Sequence, residues 1–182
     1  MDRGQIIDAL TALGRALDQR GVTGEMYVVG GAAIALAYDA RRSTRDIDAV
    51  FEPKMVIYEV AADVAERRGL PPGWLNDAVK GFLAGDDPGA APIIDIPGLR
   101  CMAASPQILL AMEVLAHRVG EDEDDVRLLA RELGLTSADR VLAMVEEIFG
   151  EQLTLAAGFF VAELSRHPSD GPAMLPRRTL SS

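Results

Sequence analysis

The stretch from Val28 to Phe51, VVGGAAIALAYDARRSTRDIDAVF, constrains the fold of this chain more than any other. It begins with an apolar run that ends in Gly30-Gly31, continues through a short helical segment, and ends in a second apolar run carrying Asp46 and Asp48. Residues i and i+2 of a strand share a face, so the two carboxylates are predicted to lie side by side. Adjacent carboxylates repel each other unless a cation lies between them, and a hard divalent ion such as Mg²⁺ or Mn²⁺ suits oxygen ligands.

The glycine pair has a second implication. Gly30 and Gly31 let the backbone approach an anion closely, at the start of a helix whose free N–H groups favour phosphate. Taken alone, a glycine pair is also typical of a simple strand–helix turn, and two acids so spaced occur on solvated faces. Here apolar residues surround Asp46 and Asp48, and buried carboxylates need a compensating partner. Together the features predict chemistry on a nucleoside triphosphate (NTP).

Composition limits the partners and the cellular location that can be expected for this chain. The net charge is −10, so binding to nucleic acid needs a local basic face, for which the arginines at 41, 42, 45, 67 and 68 are the candidates. The single Cys101 excludes an internal disulfide and a cysteine-based zinc cluster. No apolar run approaches the roughly 20 residues of a membrane span. We therefore expect a soluble cytoplasmic protein without a membrane partner.

Apolar periodicity predicts an α/β (α+β) core followed by helices. Within the core, helices are expected over 3–20, 32–38, 54–68 and 74–83, and strands over 25–30, 46–51, 93–96 and 99–103, the last two as a hairpin. Further helices are expected from Ser105-Pro106, over 121–133, 137–149 and 151–166. The predicted domains are an α/β core over 1–104, a helical part over 105–166, and a disordered tail over 167–182.

The order of these features resembles a known superfamily. A glycine pair, a short helix and TRDID on the next strand are similar to the nucleotidyltransferase fold, a small mixed sheet flanked by helices. More closely, residues 28–133 resemble the minimal nucleotidyltransferases of bacterial toxin–antitoxin systems, the AbiEii and MenT-type toxins. The supporting stretches are ARRSTRDIDAVF, WLNDAVKGFL, IIDIPGLRCMAAS and SPQILLAMEVLAHR with EDEDDVRLLARELG.

The resemblance implies roles for individual residues. Asp46 and Asp48 would be the catalytic acids and would bind the Mg²⁺ that bridges the triphosphate and the acceptor hydroxyl. Asp95 would be the third catalytic acid, or else a strand residue facing solvent. Arg45 would bind phosphate, or pair with Asp46 or Asp48. Lys80 would reach the triphosphate, or extend to the surface.

Three other positions bear on the resemblance. Glu113 stands where relatives usually carry a lysine that contacts the nucleotide, which weakens the expected triphosphate site. Asp125 matches a recurring aspartate, although an acidic residue is also favoured at a helix N-terminus. Asn76 is interpreted as structural, a cap or pocket group at the start of the helix predicted over 74–83.

The resemblance also implies a reaction and partners. The chain is expected to move a nucleoside monophosphate (NMP) from an NTP to a hydroxyl, on a tRNA 3′ end or a protein, as the toxin of a pair with a cognate antitoxin. The alternative, motivated by Glu113, is a binding or regulatory protein with weakened catalysis. A small-molecule nucleotidyltransferase is a third possibility, but no dedicated acceptor pocket is visible in the sequence.

Overall fold

In a computed structural model, residues 1–77, 87–116, 123–150 and 161–162 are described. The chain divides into two compact units, Met1–Ser105 and a helical unit that begins at Pro106. The first unit contains helices α1 (Arg3–Gln19), α2 (Gly30–Ala37) and α3 (Lys54–Arg68). Its strands are β1 (Gly24–Val29), β2 (Ile47–Glu52), β3 (Leu75–Asn76), β4 (Ala91–Ile96) and β5 (Leu99–Ala103).

These strands form one mixed sheet in the order β3-β2-β1-β5-β4. The central strand β1 pairs antiparallel with β2 and parallel with β5, β2 pairs parallel with β3, and β4 and β5 form an antiparallel hairpin. A five-stranded mixed sheet with flanking helices is the α/β architecture of a nucleotidyltransferase-type fold, as the sequence predicted.

One face of the sheet is covered by helices α1 and α3. At Gly24 of β1, an added Cβ would lie 3.1 Å from both Leu17 of α1 and Ile57 of α3, so both helices pack closely on the sheet. The residues of β1 on this face, Met26 and Val28, are buried. The other face of the first three strands carries Tyr27 and Asp48, both only half-buried. Of the two faces, this second one leaves the side chains of Tyr27 and Asp48 partly accessible to solvent.

Helix α1 has the sequence signals of a stable start. Asp2 accepts a hydrogen bond from the backbone N–H of Gln5 at 2.8 Å, and its own N–H donates to the Gln5 side chain at 2.9 Å. This is a capping box, which satisfies N–H groups that lack a partner within the helix. The apolar stripe of α1, including Leu10 and Leu13, is fully buried.

The prediction of a helix over 74–83 is wrong at its start, because residues 75–76 form strand β3 instead. Ile47 donates its backbone N–H to the carbonyl of Trp74 at 2.7 Å, and Leu75 lies opposite Ile47 in register. Pairing with an existing strand satisfies these backbone groups, which local helical preference does not take into account. The rest of that prediction, 78–83, lies outside the described residues.

The second unit contains α4 (Pro106–Ala116), α5 (Glu123–Glu132) and α6 (Ala138–Phe149), which agrees with the sequence prediction over these ranges. Helix α6 begins after Ser137, whose hydroxyl oxygen accepts from the N–H of Arg140 at 3.4 Å. Of the helix predicted over 151–166 only residues 161–162 are described, and they are helical. The tail predicted as disordered over 167–182 lies outside the described residues.

Candidate active site

Three neighbouring strands, β1, β2 and β3, meet at the edge of the sheet where the predicted metal ligands lie. Because β1 and β2 are antiparallel, the end of β1 at Val29 lies beside the start of β2, where Val29 faces Asp48. Strand β3 runs parallel to β2, so Asn76 faces Asp48 from the other side. Cross-strand partners share a face of the sheet. Asp48 therefore lies between Val29 and Asn76 at the edge where α2 begins.

The glycine pair forms the first two residues of α2. Gly30 has φ +58°, and a Cβ placed on it would lie 3.6 Å from Oδ2 of Asp48. A Cβ on Gly31 would lie 3.3 Å from the hydroxyl of Thr44. The two glycines thus leave open the space between the start of α2 and the segment that carries the acids, as close approach of a ligand requires.

Asp46 lies just before β2 and is held from two directions. Its Oδ2 accepts a hydrogen bond from Nδ2 of Asn76 at 3.1 Å, and its carbonyl oxygen accepts from the Thr44 hydroxyl at 3.1 Å. Thr44 in turn donates its N–H to the carbonyl of Met1 at 2.9 Å. The approach to β2 is therefore fixed. Asn76 lies in strand β3 and not at a helix start, so of its two predicted roles, cap or pocket group, only the pocket group agrees with its contact to Asp46.

Strand β3 is short, and α3 anchors the residues on both sides of it. The Trp74 indole N–H donates to the carbonyl of Ala61 at 3.0 Å, and Trp74 is buried. On the other side, Asp77 accepts hydrogen bonds from the Lys54 ammonium and the Tyr58 hydroxyl. Burial and the bond to Asp77 raise the pKa of Tyr58. These contacts position β3 against β2 although only a two-residue ladder joins them.

Asp95 is not brought to this edge. It faces Arg100 in register, its side chain is 80% exposed, and its Oδ1 lies 3.9 Å from Nε of that arginine. Arg100 pairs with Glu25 at the start of β1, whereas Asp48 pairs with Val29 at its end. Four residues of strand separate the two positions by about 13 Å, and three inter-strand steps add to this. The structure places Asp95 as the solvent-facing residue of the two alternatives.

A further acid, Asp87, lies before β4 and therefore near the site edge. Its Oδ2 accepts from the Tyr27 hydroxyl at 2.6 Å and from the N–H of Ser105 at 2.7 Å, and its Oδ1 accepts from the N–H of Gly89 at 3.1 Å. Burial raises the pKa of Asp87, but these hydrogen bonds outweigh burial, so the pKa lies below its usual value. Burial and the hydrogen bond to Asp87 raise the pKa of Tyr27. In the sequence, Asp87 belongs to a turn motif that carries no sign of this contact, and sequence reasoning missed it.

The two predicted phosphate-binding cations are located differently. Arg45 is exposed, and no hydrogen bond or ion pair joins it to another described residue. The alternative in which Arg45 pairs with Asp46 or Asp48 is therefore not seen, and its guanidinium is available at the site edge. Lys80 lies outside the described residues.

The arginines expected to form a basic face do not act as one group. Arg41 bonds Asp39 at 3.2 Å, and their contacts hold the pKa of Asp39 below its usual value. Arg67 and Arg68 instead line a groove of about 190 Å³ between α1 and α3, together with Arg15. We call this the arginine groove. No acidic side chain lines it, and none of its three arginines forms an ion pair within the described part of the chain.

In the helical unit, Glu113 lies on α4 and is half-buried. Asp125 lies in the first turn of α5 with Glu123 and Asp124, and is only 4% exposed. The position in the first turn is the one at which the helix dipole favours an acid. Cys101 is buried on β5, and burial raises the pKa of its thiol to about 12, so it is a core residue.

The donor chemistry at Asp46 and Asp48 suits a magnesium ion. Mg²⁺ keeps several waters and is usually bound through one or two carboxylates together with substrate phosphates. Here two half-buried acids lie beside two half-buried glycines, and Asp46 and Asp48 would be the residues that hold the ion. Among the described residues no group of three acidic, histidine or cysteine side chains forms a metal cluster, so a protein-only cage is absent from that part of the chain.

Comparison with known proteins agrees with this geometry. Residues 6–82 match a family model described as "Nucleotidyltransferase of unknown function (DUF6036)", a range that includes the glycine pair, Asp46 and Asp48 but ends before Asp95. No curated protein and no solved structure matches the chain. No helix in the described ranges is long and apolar enough to cross a membrane. The match covers 77 of the 182 residues, and together with the mixed sheet it supports a nucleotidyltransferase-type fold for this part of the chain.

Proposed function

We propose that the chain is a metal-dependent nucleotidyltransferase that moves NMP from an NTP to a hydroxyl acceptor. The observation that carries the proposal is the position of Asp48 beside Gly30, with Asp46 next to it, at the edge where β1 ends and α2 begins. This edge combines carboxylates for a divalent ion with the free N–H groups of a helix start, which bind phosphate. The family match over residues 6–82 supports the same class of reaction.

In the proposed reaction, the acceptor oxygen forms a bond to the α-phosphorus, and the bond from that phosphorus to its bridging oxygen breaks. Pyrophosphate leaves, and the hydroxyl proton is lost to solvent or a base. Asp46 and Asp48 would hold Mg²⁺ or Mn²⁺, which supplies charge neutralisation and a lowered hydroxyl pKa. The N–H groups at Gly30 and Gly31 would bind phosphate oxygens, and the exposed Arg45 would contact the outer phosphates.

A transfer assay tests this proposal. Purified protein is incubated with each α-labelled NTP, Mg²⁺ and total tRNA, and labelled RNA is separated from labelled protein on a gel. We expect transfer by the wild type and a loss of at least about a hundredfold in Asp46→Asn/Asp48→Asn, because removing charge stabilisation from a transferring phosphate costs this much. Asp95→Asn removes the same kind of charge from the far end of the sheet and should retain activity.

The acceptor is proposed to be a tRNA 3′ end or a protein hydroxyl, and the chain to be the toxin of a toxin–antitoxin pair. Support for both comes from the resemblance of residues 28–133 to toxin nucleotidyltransferases. Induced expression should then arrest bacterial growth, and the Asp46→Asn/Asp48→Asn variant should not. Growth arrest by both proteins to the same extent would rule out a toxic activity at this site.

The alternative is a nucleotide-binding or regulatory protein without efficient turnover, which Glu113 on α4 motivates. It predicts no label transfer with any NTP, while NTP and Mg²⁺ still raise the melting temperature. If neither transfer nor an NTP-dependent rise in melting temperature occurs, the chain does not act on NTPs and the proposed reaction is excluded.

A further inference from the structure

We propose that Asn76 is a positioning residue of the metal site: its carboxamide holds Asp46 in place and limits the site to two negative charges. This inference rests on the proposed function, since it assumes that Asp46 and Asp48 bind the ion. Asn76 is the only asparagine in the sequence. Nothing in its local pattern marks it as part of a metal site, and only the fold brings it there.

The first argument is geometric. In register, Asn76 lies directly opposite Asp48 on the adjacent parallel strand, so its side chain projects from the same face of the sheet. Its Nδ2 donates to Oδ2 of Asp46 at 3.1 Å, so the amide links the two acid-bearing positions. Side chains that orient metal ligands through hydrogen bonds contribute substantially to metal affinity, in addition to the charge of the ligands.

The second argument is electrostatic. Two carboxylates already repel each other before the ion binds, and a third acid at position 76 would raise this repulsion within hydrogen-bonding distance of Asp46. An asparagine side chain has nearly the same shape as an aspartate side chain but no charge. Its NH₂ group donates hydrogen bonds, whereas a carboxylate only accepts them. Asparagine therefore suits a position that must face both acids without adding to their repulsion.

The third argument is that the backbone at this position is fixed. On one side of β3, the indole of Trp74 bonds the carbonyl of Ala61 at 3.0 Å. On the other side, Asp77 is bonded by Lys54 and Tyr58. These anchors come from α3 and lie on both sides of Asn76, so a two-residue strand is held in one place. The carboxamide consequently has a defined position relative to Asp46, as a positioning role requires.

The test measures binding of Mn²⁺ alone, followed by the electron paramagnetic resonance signal of the free ion, on the full chain. Asn76→Ala should raise the Mn²⁺ dissociation constant about tenfold or more, because loss of an orienting partner typically weakens metal binding by about 10- to 100-fold. Its melting temperature in EDTA should stay close to that of the wild type. An unchanged dissociation constant would overturn the proposal, whether or not the variant has lost stability.

A second variant examines the charge argument without relying on Asn76→Ala. Asn76→Asp should lower the melting temperature in EDTA, and saturating Mn²⁺ should restore it. Thr23→Asp adds the same charge in the exposed loop before β1, at the end of the sheet away from Asp48, and should change neither value. If Asn76→Asp lowers the melting temperature in EDTA no more than Thr23→Asp does, position 76 does not face the two acids and the proposal fails.

The Asp46→Asn/Asp48→Asn variant separates this inference from the proposed function. If Mn²⁺ binds the wild type but not the double variant, the metal site is correct, and the Asn76 variants then decide the inference. If the wild type does not bind Mn²⁺, or if the double variant binds it equally well, the metal site itself is wrong and both proposals fall.

Discussion

Gly30 combines two properties that few residues share. Its φ of +58° lies in the left-handed region, and its α-carbon faces Oδ2 of Asp48. Any side chain there would be conformationally strained, and it would also occupy space beside the carboxylate. These two effects can be measured separately because other glycines of the chain have one property without the other.

We expect Gly30→Ala to lower the free energy of unfolding by about 1 kcal/mol, since a left-handed conformation costs a non-glycine residue about this much. Nucleotidyl transfer should fall about tenfold or more, because the added methyl lies where ligand and acid must meet. Gly69→Ala is the matched control: Gly69 has φ +65°, and a Cβ there has no neighbour within 4 Å. Gly69→Ala should lower the free energy of unfolding as much as Gly30→Ala does, but it should keep its transfer activity. Equal activities in the two variants would contradict a role of Gly30 in ligand approach.

Among single residues, the sequence was informative where a side chain's role depends on its neighbours along the chain. Gly30, Asp46 and Asp48 belong to one short stretch, so their closeness along the chain was enough to mark them as candidates. Asp48 lies on β2 and Asp46 just before it. Asn76 and Asp87 reach the site edge only through strand pairing and long-range hydrogen bonds, to Asp46 and Tyr27. No local pattern encodes such contacts, so sequence reasoning did not assign either residue to the site.

At the scale of elements, the turn between β4 and β5 packs against α1 with almost no free space. A Cβ on Gly98 would lie 2.1 Å from the carbonyl oxygen of Gly14 and 2.6 Å from the backbone nitrogen of Asp18. Both atoms belong to the backbone of α1, so a side chain at position 98 forces the turn and the helix apart. The hairpin and α1 therefore depend on each other for their position.

We expect Gly98→Ala to destabilise the protein by about 2–4 kcal/mol, the sum of a strained φ and overpacking against a rigid neighbour. Gly21→Ala, at φ +67° with no atom within 4 Å, should cost about 1 kcal/mol. Urea unfolding measures the difference between the two. A Gly98→Ala variant as stable as Gly21→Ala would show that the close approach is relieved at no cost. Mn²⁺ affinity of the folded protein should not change, because this turn lies at the end of the sheet away from Asp48.

The elements also show which part of a fold can be predicted from sequence. Helices α1 and α3 and the β4–β5 hairpin agree with the prediction because each has its own apolar periodicity and its own start or stop signal. Strand β3 has only two residues and follows a Pro-Pro-Gly sequence, so no periodicity can identify it. Its existence depends on the open edge of β2 and on the anchors in α3, which are features of the assembled sheet.

At the scale of the whole molecule, charge is distributed unevenly. The chain carries a net charge of −10, yet three arginines line the groove between α1 and α3 without an acidic neighbour in its lining. The groove lies on the outer side of the helices that cover one face of the sheet, and the site edge lies on the other face. A nucleic-acid acceptor that contacts both the arginine groove and the site edge would have to be larger than a single nucleotide.

If tRNA is the acceptor, we expect Arg67→Gln/Arg68→Gln to weaken tRNA binding and to reduce the slope of log affinity against log salt concentration by about 2, since each phosphate contact contributes about one unit. Transfer to a minimal hydroxyl acceptor should be unaffected. Arg100→Gln/Arg131→Gln changes the net charge equally at other exposed positions and serves as the control in filter-binding titrations. Equal losses in the two double variants would show that only net charge matters and that the arginine groove is not a contact surface.

The central position of β1 has a consequence for how this architecture can diversify. The proposed chemistry lies on the β2–β3 side of this strand and at its end, whereas the β4–β5 hairpin occupies its other side. Substitutions, insertions or a new partner surface on the hairpin side leave the ligand-bearing strands unchanged as long as β1 keeps both of its ladders. The hairpin half of the sheet can thus vary separately from the half that carries the proposed metal ligands, with β1 as the boundary between a variable half and a constrained half.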